Sequence, residues 1–148
     1  MATVLQTIAC LRFFGDDLDP DQISKVLGAA PTSAYRKGDV TLSEAGNKAV
    51  AETGTWQLEA DEEFSGELAE QIASLFAALT NDLTVWKDLS ARFEGDVFAG
   101  LFMAEANEGF SLDPALLGAI AARGLVLEFD LFSAEDDDAY YEDAAVTS

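Results

Sequence analysis

Apolar residues in the first stretch of the chain recur with a period of two. Over Thr3–Phe14, Leu5, Ala9, Leu11 and Phe13 fall on one face, and Gln6, Ile8, Cys10 and Arg12 share the other. This predicts a strand that buries its odd-numbered side. Gly15 breaks the run. Leu18-Asp19-Pro20 then opens a helix: the Asp19 carboxylate can cap free amides of the first turn, and proline has no amide to lose at the first helical position. Ile23, Val26 and Leu27 form the buried stripe of that helix, and Gly28 stops it in a left-handed cap.

The period dissolves between Ala29 and Gly54, where Pro31, Gly38, Gly46 and Gly54 punctuate the chain. Within this stretch Ser33–Arg36 and Val40–Leu42 predict a short hairpin turning at Lys37-Gly38-Asp39. Thr55–Ala60 alternates again, with Trp56, Leu58 and Ala60 facing inward. Phe64–Leu79 predicts the best-defined helix, capped by Ser65 and striped by Leu68, Ile72, Leu75 and Leu79. Thr84–Ala91 predicts a shorter one around Val85, Trp86 and Leu89. Asp96–Ala104 is apolar on both faces, as in a strand enclosed by its neighbours. Leu112-Asp113-Pro114 repeats the earlier helix opening, with Leu116, Leu117 and Ile120 as the stripe and Gly124 as the stop. Leu125–Phe132 predicts the last strand, with Leu125, Leu127, Phe129 and Leu131 inward and Glu128 and Asp130 on the opposite face.

Each half thus runs strand, Leu-Asp-Pro helix, glycine stop, strand. The expected fold is α+β: a mixed, largely antiparallel sheet of four main strands, with helices packed mainly on one face and two β-α-β halves. Residues 1–133 are assigned to this single domain. Ala134–Ser148 is acidic and poor in core-forming residues, and is expected to be a mobile tail.

At 148 residues and 49% hydrophobic composition, a core of this size needs no disulfide staples, and the one cysteine, Cys10, allows no internal disulfide. In a strand interior Cys10 reads as a small packed thiol. Charge changes the picture more. Eight Lys and Arg against 28 Asp and Glu leave −20, of which the tail supplies six acids and residues 1–133 keep −14. Such a field repels nucleic-acid phosphates and anionic lipids and favours basic partners; it also raises solubility without any partner. The sequence holds neither a basic leader with a small-residue cleavage site nor an apolar run of ~20 residues. With a lone thiol, these features predict a cytoplasmic protein without membrane or nucleic-acid contacts.

Candidate chemistry is narrowed by the complete absence of histidine, which removes Ser-His-Asp and Cys-His sets. There is no phosphate-binding glycine motif, and Glu135–Asp138 lacks the glycine-centred loop of a calcium site, so no catalytic residue, metal ligand or cofactor is assigned. Some groups retain binding potential. Glu128 and Asp130 sit two apart on one strand face, a spacing compatible with acid/base work or with ordinary solvated alternation. Arg12 also points off the core and reaches Glu128 or Asp130 if the first and last strands are neighbours. Arg36, Lys37 and Lys48 form a basic island near Asp39, able either to clamp an anion or to neutralise nearby acids and tie the loop down. Trp56, just after that loop, either anchors the core or stacks on a ligand.

Leu11-Arg12-Phe13-Phe14-Gly15, Leu18-Asp19-Pro20, Leu27-Gly28, Pro31-Thr32, Arg36-Lys37-Gly38-Asp39, Gly54-Thr55-Trp56 and Leu127-Glu128-Phe129-Asp130-Leu131 occur in an order that resembles a bacterial family. It is the domain-of-unknown-function 4279 family, and the resemblance spans Thr3 to Phe132. The resemblance implies an α+β domain of intracellular bacterial proteins with no assigned activity. Its characteristic polar positions correspond here to Arg12, Arg36, Lys37, Asp39 and Asp130.

Two functional expectations follow. One is a non-enzymatic acidic binding protein, of immunity or inhibitor type, that covers a basic protein partner. The other is a small anionic-ligand or enzymatic site on the exposed sheet face, built from Arg12, Asp130 and the Arg36–Asp39 loop with Glu128 and Trp56. Phe98, Phe102, Val126 and Phe132 add a third element, an apolar second sheet face through which a homo-oligomer can form.

Overall fold

The computed structural model describes residues 6–64 and 66–133. Strand β1 (Gln6–Gly15) leads into helix α1 (Pro20–Leu27) and then strands β2 (Ser33–Tyr35), β3 (Val40–Leu42), β4 (Lys48–Val50) and β5 (Gly54–Glu59). A 3-10 turn (Glu62–Phe64) precedes helices α2 (Leu68–Ala77) and α3 (Leu83–Arg92). Strand β6 (Glu94–Phe102), helix α4 (Pro114–Ala122) and strand β7 (Val126–Phe132) complete the chain as described. Five strands form one sheet in the order β2-β5-β1-β6-β7, while β3 and β4 pair as a separate hairpin.

The Leu-Asp-Pro openings act as their residues dictate. Asp19 accepts a hydrogen bond from the Asp21 amide at 3.1 Å, and Asp113 accepts one from the Leu116 amide at 2.8 Å, each followed by proline in the first turn. Gly28, at φ +89°, takes the left-handed conformation that ends α1. The two β-α-β halves are real. β1 and β2 are each antiparallel to β5, so they run parallel to one another around it; β6 and β7 are directly paired in parallel. The halves join where β1 and β6 pair antiparallel, Arg12 opposite Asp96 and Ala9 opposite Ala99.

All four helices among the described residues cover one face. There Ala9, Leu11 and Phe13 of β1 meet Val97, Ala99 and Leu101 of β6, and the two tryptophans close the core beside Phe13. The Phe13 ring lies 6.3 Å from each of Trp56 and Trp86, and Phe76 meets Trp86 edge-on at 5.9 Å. Both indoles keep their polar ends satisfied, Trp56 Nε1 donating to Ser24 Oγ and Trp86 Nε1 to the Thr80 carbonyl. One buried polar knot fixes α2 to the sheet. Thr7 Oγ1 donates to Gln71 Oε1, Gln71 Nε2 donates to the Thr7 carbonyl, and the Gly66 amide donates to Thr7 Oγ1.

The structure departs from the sequence expectation in the middle of the chain. The main sheet has five strands, because β2 does not form a hairpin with Val40–Leu42. Instead Ser33–Tyr35 pairs with Gln57–Thr55 of β5, which turns Ala34 toward the core beside Trp56. Val40–Leu42 pairs with Lys48–Val50, a strand the pattern does not announce, so Lys37-Gly38-Asp39 hands the chain from one sheet to the other. α2 starts at Leu68 with no side-chain cap, after the 3-10 turn that takes up Phe64. The expected Ser65 cap, Thr3–Leu5 of the first strand and the tail Ala134–Ser148 with its Glu135–Asp138 cluster lie outside the described residues.

Candidate functional site

No helix among the described residues lies on the second face of the sheet. Strand alternation assigns its occupants: Ile8, Cys10, Arg12 and Phe14 from β1, Glu59 from β5, Glu94, Asp96, Phe98 and Phe102 from β6, and Val126, Glu128, Asp130 and Phe132 from β7. The four residues expected to give an apolar second face do share it. Phe102 and Phe132 stack with centroids 4.9 Å apart and are half-buried, as is Phe98, while Val126 is exposed. Cys10 is buried here, its Sγ donating to the Leu11 carbonyl, and burial, with Glu59 opposite, pushes its thiol up to about 12. It is a packed thiol at neutral pH.

Arg12 is the only cation among the described residues assigned to this face. β6 separates β1 from β7, and the partner that sequence reasoning missed sits on it: Asp96, directly across the β1–β6 ladder. Arg12 Nε and Nη2 donate to the two Asp96 carboxylate oxygens at 2.8 and 2.7 Å, and Nη2 reaches on to Glu128 Oε2 at 3.2 Å. The guanidinium lies 4.5 Å from the centroid of Phe98 and 5.2 Å from that of Phe14. The hydrogen bond to Asp96 holds its pKa above the ordinary arginine value. The visible signal for this pair is an acid at the head of an otherwise apolar strand, on the same side as Phe98.

Around this pair the face dips into an open depression of about 510 Å³, with Phe14, Phe93 and Val126 as its apolar wall and Glu94, Asp96 and Glu128 as its acidic rim. Five carboxylates, Glu59, Glu94, Asp96, Glu128 and Asp130, therefore stand against one guanidinium that two of them already engage. Asp130 lies opposite Gly100, two residues along from Glu128, exposed and without an ion pair among the described residues.

The remaining candidate residues do not converge here. Arg36 Nη2 pairs with Asp19 at 2.7 Å and Asp21 at 3.0 Å, and those contacts, Asp21 first, raise its pKa. Asp39 accepts from the Arg36 amide at 2.8 Å and so shapes the turn. Lys37 pairs with Asp16 at 3.3 Å, and Asp16 is held below the usual carboxylate range by its hydrogen bonds to Thr53 and Lys37. These contacts tie the β2–β3 turn to the start of α1. Trp56 is fully buried on the helix side and does not reach the open face. A further cation unsignalled by the sequence, Arg123, is buried against Phe76 and Trp86 with Nη1 on the Ala119 carbonyl and Nε unpaired; burial lowers its pKa.

Among the described residues no group of three or more Cys, Asp or Glu is placed to hold a metal ion, and no helix is long and apolar enough to cross a membrane. A family model described as a domain of unknown function, DUF4279, matches residues 5–133. Comparison with curated proteins and with solved structures gives no match.

Proposed function

The chain belongs to the DUF4279 family, whose description assigns no activity, and on that footing we propose that it is a non-enzymatic acidic binding protein of immunity or inhibitor type. In this reading it acts in the bacterial cytoplasm and covers a basic protein partner with the open face of its sheet. The observation that carries the reading is the charge balance of that face among the described residues, five carboxylates around exposed and half-buried apolar side chains, with the one cation already paired. Glu59, Glu94 and Asp130 make no ion pair among the described residues and are available to a partner's lysines and arginines. The depression beside Phe14 and Val126 adds apolar area for a side chain to enter. Electrostatic steering makes such an association fast and salt-sensitive.

The same geometry disfavours an anionic ligand. To reach Arg12, an anion has to displace a bidentate carboxylate and approach through four others. The binding reading is tested by co-purification from a lysate of the native cells, comparing the chain with a Glu128→Lys/Asp130→Lys variant. A basic protein captured by the wild type, released by salt and lost in the variant supports it. Absence of a basic protein, or equal retention by the variant, overturns it.

A further inference from the structure

The helix-covered side ends in a surface of a different character. α4, Pro114–Ala122, carries no charged or polar side chain, yet Ile120 is its only buried residue. A helix apolar on every side is ordinarily enclosed. Leu117 on this helix is 46% exposed, and on β7, which it packs against, Leu131 is 57% exposed. Phe110 and Phe129, with ring centroids 5.6 Å apart, are exposed as well. From Gly109 to Ala122 the one charged residue is Asp113, whose carboxylate is engaged in capping α4. β7 is the outermost strand of the sheet, so no further strand among the described residues pairs with its outer edge.

Charge decides what covers it. A chain of net charge −20 repels its own copy wherever acids face acids, so two copies meet only across neutral surface. A basic partner, in contrast, finds on this patch only the Asp113 carboxylate, which the first turn of α4 already engages. We infer that this surface is the interface of a homodimer, α4 and the helix-side residues of β7 packing on their equivalents about a two-fold axis. Side chains make this contact rather than an extended sheet. Pairing two β7 edges antiparallel places Glu128 or Asp130 against acids of the second copy, which a neutral interface avoids. The two surfaces then respond to salt with opposite signs. Screening the mutual repulsion tightens the dimer, whereas screening loosens a basic partner on the open face.

The experiment is sedimentation equilibrium of the full chain at low and high ionic strength, alongside Leu117→Glu and Gly118→Glu. Both positions are exposed, and beyond the helix's own backbone nothing lies within 4 Å of a Cβ built at Gly118. Glutamate there also improves helix propensity, so circular dichroism should show a native fold. The expected result is a wild-type dimer that strengthens with salt and is weakened about a hundredfold or more by either substitution, since each change acts twice across the axis. A monomeric wild type at every salt and concentration, including one whose patch binds some other protein, overturns the inference. So does a dimer that weakens with salt or is indifferent to both substitutions.

Discussion

Replacing Arg12 by methionine keeps the aliphatic stem over Phe98 and deletes the charge, leaving Asp96 with no cation. The side chains of the pair are 21% and 14% exposed, between the surface and buried limits. Exposed pairs contribute about 0.2–1 kcal/mol, whereas breaking a buried pair costs about 3–5 kcal/mol. The expected cost of Arg12→Met is therefore about 2 kcal/mol, or about 4–8 °C in Tm for a domain of this size. Asp96→Asn should cost less, about 1 kcal/mol, because Arg12 keeps Glu128 and the two rings. Equilibrium urea denaturation of both single variants and the double variant yields the coupling directly, expected at about 1–1.5 kcal/mol. Equal costs for the two single changes, or a coupling below about 0.5 kcal/mol, refutes the argument and makes Arg12 available for other contacts. A folded Arg12→Met protein should still capture a basic partner, because the carboxylate-rich face survives the change.

Other positions give independent checks. Thr7→Val preserves shape but leaves Gln71 Oε1 and the Gly66 amide without their partner, a loss of about 1–3 kcal/mol in urea titration, with Thr7→Ser close to wild type. The Cys10 thiol is raised from 9.0 to about 12, so stability is fully present below pH 9 and is lost as pH rises toward 12. The expected slope is about 1.4 kcal/mol per pH unit in that window, and Cys10→Ala should abolish it. Thiol-specific reagents should label Cys10 only as fast as the protein opens, and immediate labelling of the native state contradicts its burial. A Cβ at Gly54 stands 2.7 Å from the Gly15 carbonyl oxygen and 2.9 Å from Leu18 Cβ, so Gly54→Ala should lower stability by about 1–3 kcal/mol in thermal melts.

Local chemistry made the starts of α1 and α4 readable, because an aspartate before proline caps the free amides of the first turn whatever the tertiary context. The inward residues of β1 and β5 were readable because period two survives any strand order, whereas β6, apolar on both faces, gave no sign of which side the helices would cover. Pairing was not readable. Ser33–Tyr35 has only three residues, too few to prefer one neighbour by pattern, and the Gly38 turn mimics a hairpin while joining two sheets. Arg12 was legible as a charge off the core, yet its partner lies 84 residues away on a strand whose adjacency only the fold supplies. The basic island was legible as a cluster; that Asp16, Asp19 and Asp21 absorb Arg36 and Lys37 depends on where α1 begins.

The antiparallel seam between β1 and β6 has a consequence for biosynthesis. The strand that walls in Leu11 and Phe13 on one side is translated some eighty residues after them. Until then β5 is the only strand flanking β1, and loop closure over that span must precede any gain from the β1–β6 contacts. Folding on the ribosome should therefore be postponed rather than progressive, with β1, made well before β6, waiting for its second neighbour.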